Sequence, residues 1–127
     1  MIKLTFFVFA IGLLSTAQVY AQPTVLNADE FEKKLETIKD KIVLDVRTKE
    51  EFGQGHLASA TMIDYYKDDF RQQLGKLDKT KPVFVYCAAG GRSHSSSEIL
   101  KELGFKYVYD LQGGMRAWKG ANKPIVK

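Results

Sequence analysis

The run KPVFVYCAAGGRS, Lys81 to Ser93, constrains this chain more than any other stretch. Pro82 opens it, and Val83-Phe84-Val85-Tyr86 follow with β-branched and aromatic side chains and no polar break. Such a run reads as a parallel strand buried on both faces. The only cysteine, Cys87, stands where that strand should end. Ala88, Ala89, Gly90 and Gly91 then leave the backbone almost bare. Arg92 and Ser93 lead into a helical pattern of Glu98, Ile99, Leu100 and Leu103 that stops at Gly104. Strand, bare loop and helix start together make an anion cradle, because the loop N–H groups can all turn inward. A thiol at the base of such a cradle is favoured as its thiolate. A lone cysteine at a strand end also serves as a small buried hydrophobe. That role does not call for a bare loop that ends in arginine and a helix start.

The remaining chain alternates short apolar runs with helical patterns. Thr24-Val25-Leu26 reads as a first strand, followed by Asn27 as N-cap with Glu30 as its capping-box partner. Phe31, Leu35 and Ile38 recur at helical spacing, which predicts an amphipathic helix from Ala28 to Lys39. Ile42 to Val46 reads as the second strand. Thr48 caps a short helix, Lys49 to Phe52, stopped by Gly53 and Gly55. Arg47 is expected in a structural ion pair, with Glu51 as its local partner. Asp45, a carboxylate at the end of a buried strand, needs bonds to backbone or arginine groups and is expected to support the cradle from behind. Ala60 to Ile63 predicts a third strand, Tyr65 to Leu74 a helix, Gly75 to Lys81 a loop, Ser93 to Leu103 a helix and Tyr107 to Tyr109 a fifth strand. Gly113-Gly114 marks a tight turn, Met115 to Lys119 a short helix carrying Trp118 as core or pocket wall, and the last residues a tail. His56 is expected as a structural turn residue and His94 as an exposed one. Ser96 and Ser97 are read as small residues for close packing, since no Gly-x-Ser-x-Gly elbow surrounds them. The alternation predicts an α/β domain with a parallel sheet covered on both faces. Ligands in such sheets bind beyond the carboxyl ends of the strands, where Cys87 falls.

The start of the chain reads differently. Met1-Ile2-Lys3 is short and positive, Leu4 to Leu14 is almost wholly apolar, and Val19-Tyr20-Ala21 suits a signal peptidase. A stretch of eleven residues falls short of the roughly twenty a membrane span needs. Residues 1–21 are therefore expected to be a cleaved secretory signal and residues 22–127 a single domain, exported and periplasmic, with no stable membrane association. Removing Lys3 with the signal lowers the net charge from +4 to +3. No basic stripe with interleaved aromatics is present, so nucleic acid is not an expected partner. One cysteine allows no internal disulfide and no Cys-x-x-Cys exchange chemistry, and two distant histidines offer no metal-ligand spacing.

Cys87-Ala88-Ala89-Gly90-Gly91-Arg92-Ser93 resembles the active-site loop of single-domain rhodaneses, which runs Cys-x-x-Gly-x-Arg-Ser/Thr. Leu44-Asp45-Val46-Arg47, through Glu51-Phe52 to Gly55-His56-Leu57, is similar to the upstream signature of that family. Leu111-Gln112-Gly113-Gly114 with Ala117-Trp118 is similar to the C-terminal one. The resemblance covers nearly everything after residue 24. It implies a rhodanese-like five-stranded parallel sheet with helices on both faces and a sulfurtransferase without cofactor or metal.

In the chemistry so implied, Cys87 attacks the outer sulfur of a thiosulfate-like donor, releases sulfite and becomes a persulfide. A thiol or cyanide acceptor then removes the terminal sulfur, in covalent ping-pong catalysis. Amides of Ala88, Ala89, Gly90, Gly91 and Arg92 hold the persulfide anion. Arg92 orients the loop or contacts the small anionic donor, Ser93 completes the binding loop, and Asp45 and Arg47 support it. Four residues separate Cys87 from Arg92, one fewer than in the cysteine phosphatases and arsenate reductases of this fold, and the tighter loop suits sulfur better than a tetrahedral oxyanion. A sulfur-carrier or protein-interaction module is the alternative outside catalysis. Ala88 and Ala89 stand where larger side chains often rim the pocket, which leaves the donor open.

Overall fold

The structure is a computed structural model that describes residues 22–127 together with Ile2, Lys3 and Gly12. The expected signal peptide otherwise lies outside the described residues. Five strands form one sheet: β1 (Thr24–Leu26), β2 (Ile42–Asp45), β3 (Thr61–Met62), β4 (Val83–Tyr86) and β5 (Val108–Leu111). Their order is β1-β5-β4-β2-β3, and every neighbouring pair is parallel. β4 lies at the centre, so its apolar run is buried on both sides as its composition requires.

The helices divide between the two faces. α3 (Phe70–Gly75) and α4 (Gly91–Glu102) cover the face that carries Leu44, Val46, Val83, Val85, Cys87 and Val108. α1 (Ala28–Thr37) and α5 (Gly114–Gly120) cover the opposite face, where Phe31 meets Phe84 and Trp118 edge to face at 5.3 and 6.2 Å. α2 (Lys49–Gly53) sits beyond the end of β2, held by a capping box between Thr48 and Glu51. Trp118 is core, and its indole N–H donates to the Pro124 carbonyl at 2.8 Å.

Several expectations move. α1 stops at Thr37 because Ile38 turns extended (φ −94°, ψ 110°), which lays its side chain against the apolar cluster. The predicted helix from Tyr65 is a turn up to Asp69. Asp64 accepts the Tyr66 N–H at 2.9 Å, and Tyr65 N–H is drawn to the Val46 carbonyl, so only Phe70–Gly75 is free to wind. The tail returns instead of trailing: His56 and Val126 exchange backbone hydrogen bonds of 2.9 and 2.8 Å. His56 is structural, stacked on Phe52 at 3.7 Å.

Arg47 does not pair with Glu51. Its guanidinium lies against Asp45 at 2.7 Å and also donates to the Gly55 carbonyl. Both members of the pair are buried, and the backbone N–H of Arg47 also bonds Asp45. The two residues are two apart at a strand end, where the chain folds one onto the other before Glu51 comes within reach. Tyr86 joins this group. Its hydroxyl accepts the Leu57 N–H at 3.0 Å, and its ring lies 5.5 Å beneath the Arg47 guanidinium. Replacing Tyr86 by Phe strands the buried Leu57 amide and is expected to cost about 1–3 kcal/mol in denaturant unfolding. Phe31→Ala, which empties an aromatic core position, is expected to cost about 3–5 kcal/mol in the same measurement.

Candidate active site

β4 delivers Cys87 to the carboxyl end of the central strand, and the loop behind it folds back over the sulfur. The fold is made by Gly90, whose φ of 112° puts it in the left-handed region as the residue before α4. In that conformation the Gly90 N–H points at Cys87 Sγ, 3.1 Å away. The Cys87 thiol in turn faces the Ser93 hydroxyl at 3.5 Å, and that hydroxyl donates to the Gly90 carbonyl at 3.2 Å. Cys87 is 1% exposed, and Ser93 is fully buried beneath it. Ala89 and Gly91 are exposed and Ala88 and Gly90 half-buried, so the small residues form the outer rim.

A second glycine turn holds the loop from below. Met115 N–H donates to the Cys87 carbonyl at 2.8 Å, and Arg116 N–H donates to the Ala88 carbonyl at 3.0 Å. This contact requires the start of α5 to come against the backbone of the loop. Gly114 permits it: at φ 57°, a Cβ there would lie 2.5 Å from the Cys87 carbonyl oxygen. Gly113, at φ 74°, permits the turn that leads in. The two glycines read as a tight turn in the sequence are thus the floor of the site, since their own helix spends its first amides on the loop.

Arg92 is committed on the protein side. Its two terminal nitrogens donate to the two Glu51 carboxylate oxygens at 2.8 and 2.9 Å, and its guanidinium lies 5.3 Å from the Tyr66 ring centre. The pair ties α2 to the first turn of α4. The Arg92 hydrogen bonds, helped by Thr48, hold the Glu51 carboxyl down to about 2 against the opposing effect of burial. Glu51 holds Arg92 in turn above its ordinary range.

Of the loop residues, the structure sets the Gly90 N–H and the Ser93 hydroxyl against the Cys87 sulfur, while Ala88, Ala89 and Gly91 form the rim and the Arg92 guanidinium turns to Glu51. The structure does not bring Asp45 and Arg47 there. Their cluster lies with Tyr86 on the α1/α5 face, and their hydrogen bonds serve one another and the Gly55 carbonyl. Alternation explains this: Cys87 and Tyr86 are successive residues and leave the strand on opposite sides. Two residues at the site went unread in the sequence. Glu51 was read as a local partner for Arg47 and not as the partner of a residue 41 positions away. Asp110 is a carboxylate inside the short apolar strand β5, a visible anomaly. It is buried, and its Oδ2 stands 3.9 Å from Nδ1 of the exposed His94, the residue after Ser93. Among the described residues no cluster of three or more metal-ligating side chains occurs, and no helix is long and apolar enough to cross a membrane. A groove of about 300 Å³, lined by Leu35, Val43, Leu57, Trp118 and Pro124 among others, lies on the α1 side and contains none of the loop residues.

Gly114→Ala is expected to displace the loop carbonyls, slowing alkylation of Cys87 by iodoacetamide at least severalfold and lowering the melting temperature. Glu51→Gln frees Arg92 and is expected to destabilise by about 1 kcal/mol near neutral pH. Because folding lowers the Glu51 pKa, this contribution is complete above the unfolded value of 4.5 and is lost as pH falls toward about 2. Melting curves of the two proteins should therefore converge across that interval.

Residues 27–121 match the family described as the Rhodanese-like domain. A thiosulfate sulfurtransferase, GlpE of Coxiella burnetii, is 39% identical over 101 residues, which cover 80% of this chain and 89% of that protein. A sulfurtransferase of Allochromatium vinosum is 28% identical over 101 residues, covering 80% and 92%. The crystal structure of a rhodanese-related protein from Thermoplasma volcanium superposes with a TM-score of 0.72 at 29% identity, covering 81% of this chain and 97% of that one. The parallel order β1-β5-β4-β2-β3, the loop around Cys87 and these likenesses agree, and the chain belongs to the rhodanese-like domain family.

Proposed function

We propose that this protein is a thiosulfate sulfurtransferase that carries sulfane sulfur as a Cys87 persulfide, in an exported, periplasmic domain. The observation that carries the reading is the Gly90 N–H aimed at Sγ from 3.1 Å, on a cysteine that is itself 1% exposed. A backbone donor fixed in place stabilises negative charge on sulfur without reorganising during the reaction. The sulfurtransferases similar to this chain support the class of reaction.

The first step forms a bond from Cys87 Sγ to the outer sulfur of thiosulfate. The electron pair of the old S–S bond leaves with sulfite. The enzyme then holds Cys87–S–S⁻, and a thiol or cyanide attacks the terminal sulfur and returns Cys87 as thiolate. Burial of Cys87 fits this chemistry. The inner sulfur stays protected, while the transferable atom stands about 2 Å further out, one S–S bond along. Arg92 gives its guanidinium to Glu51, so its part is to hold the first turn of α4, and with it the loop, in register. The four-residue spacing to Arg92 keeps the loop close around a single sulfur atom.

Cys87→Ser is expected to fold with a melting temperature near that of the parent and to reduce transfer from thiosulfate to cyanide to background. Intact-protein mass spectrometry after thiosulfate treatment should show one added sulfur on the parent and none on the variant. A sulfur gain without turnover on cyanide or small thiols identifies a carrier instead of a transferase. Near-full activity of Cys87→Ser removes the mechanism.

A further inference from the structure

We infer that Asp110 is a positioning residue for the sulfur chemistry: it takes the Cys87 thiol proton by way of the Ser93 hydroxyl, leaving the thiolate in the loop. This rests on the reading of Cys87 as the nucleophile. Asp110 is paired in register with Val85 on β4, two residues before Cys87, on the same face of the sheet. Its side chain is 5% exposed, and its Oδ1 has no hydrogen-bond partner. A buried carboxyl left without a partner is costly, and each such group calls for a physical reason. Ser93 supplies one. It sits one residue before His94, which reaches Asp110 at 3.9 Å, and its hydroxyl stands 3.5 Å from Sγ.

The groups around Asp110 leave few other routes for a proton. From α4 it meets Ser93 and His94. From β4 it meets Val85, and from β1 Val25, both apolar. His94 is the one titratable side chain shown against it, at 3.9 Å and on the solvent side. Around Cys87 the charged neighbour is Arg92, whose guanidinium is held by Glu51. α5 contributes there only the amides of Met115 and Arg116, already given to carbonyls. Burial raises the Asp110 carboxyl above its usual range, with Ser93 and His94 pulling the other way, so it holds a proton better than a surface aspartate does.

The transfer balances. The S–H bond breaks as its proton joins Ser93 Oγ. The Ser93 O–H bond breaks as its proton joins an Asp110 carboxylate oxygen. The electron pair stays on sulfur, and nothing is oxidised. Ser93 now donates to the Gly90 carbonyl, so the step needs only rotation of that hydroxyl toward Asp110. After transfer the Asp110 proton is available to return along the same path.

The test is the pH dependence of single-turnover persulfide formation from thiosulfate, with Cys87 alkylation by iodoacetamide measured in parallel. Asp110→Asn keeps the shape and removes the acceptor. It is expected to react about tenfold or more slowly near neutral pH. The gap should close at alkaline pH, where solvent takes the proton. Ser93→Ala should give the same profile, and the double variant should be no slower than either single one. A loss by the same factor at every pH, or additive losses in the double variant, overturns the inference and leaves Asp110 a structural group. If the parent forms no persulfide, the proposed function fails instead, and the alkylation profiles still decide whether Asp110 governs the thiol.

Discussion

Sulfur nucleophiles are soft and large, and a protein interior offers them few fixed partners. The contact on which this site depends is the backbone N–H of Gly90 pointing at Cys87 Sγ. A side-chain donor would need its own supports, whereas a main-chain donor is fixed by the path of the loop. That path follows from the left-handed conformation at Gly90 and from the helix that starts one residue later. Glycine at position 90 is therefore a geometric requirement, since any larger residue there is strained at that φ.

The loop is held from both sides by contacts distant in sequence. From below, the first amides of α5 bond its carbonyls, which the missing side chain of Gly114 permits. From outside, Glu51 grips Arg92 and links α2 to α4. Both supports act on main-chain position and leave the sulfur itself untouched. The buried Asp45–Arg47–Tyr86 group performs a similar task on the other face, where it fixes the turn at Gly55 to Leu57 and so the return toward β3. These ion pairs thus serve architecture, and none of them touches the sulfur.

Much of this fold was legible along the chain. The uninterrupted run Val83 to Tyr86 marked a central parallel strand, and alternating apolar runs marked the layers around it. Short-range capping was equally readable at Asn27 and Thr48, because a cap and its partner lie three residues apart. The turn at Tyr65 to Asp69 was not readable. Its helical spacing was real, but the Asp64 side chain and the Val46 carbonyl, one local and one distant, claimed its amides first.

The order of residues by itself determined the class of site. A lone cysteine, four small residues, an arginine and a helix start in one unbroken stretch mark an anion cradle at a strand end. Which charged residues attend that site was decided only by the tertiary structure. Asp45 and Arg47 lie close to the loop in sequence pattern, yet strand alternation sends them to the far face. Glu51 and Asp110 arrive from other elements, carried in by α2 and β5. Local geometry is written in neighbouring residues, but the partners of a charge depend on which faces meet, and that is set by the packing of the whole sheet.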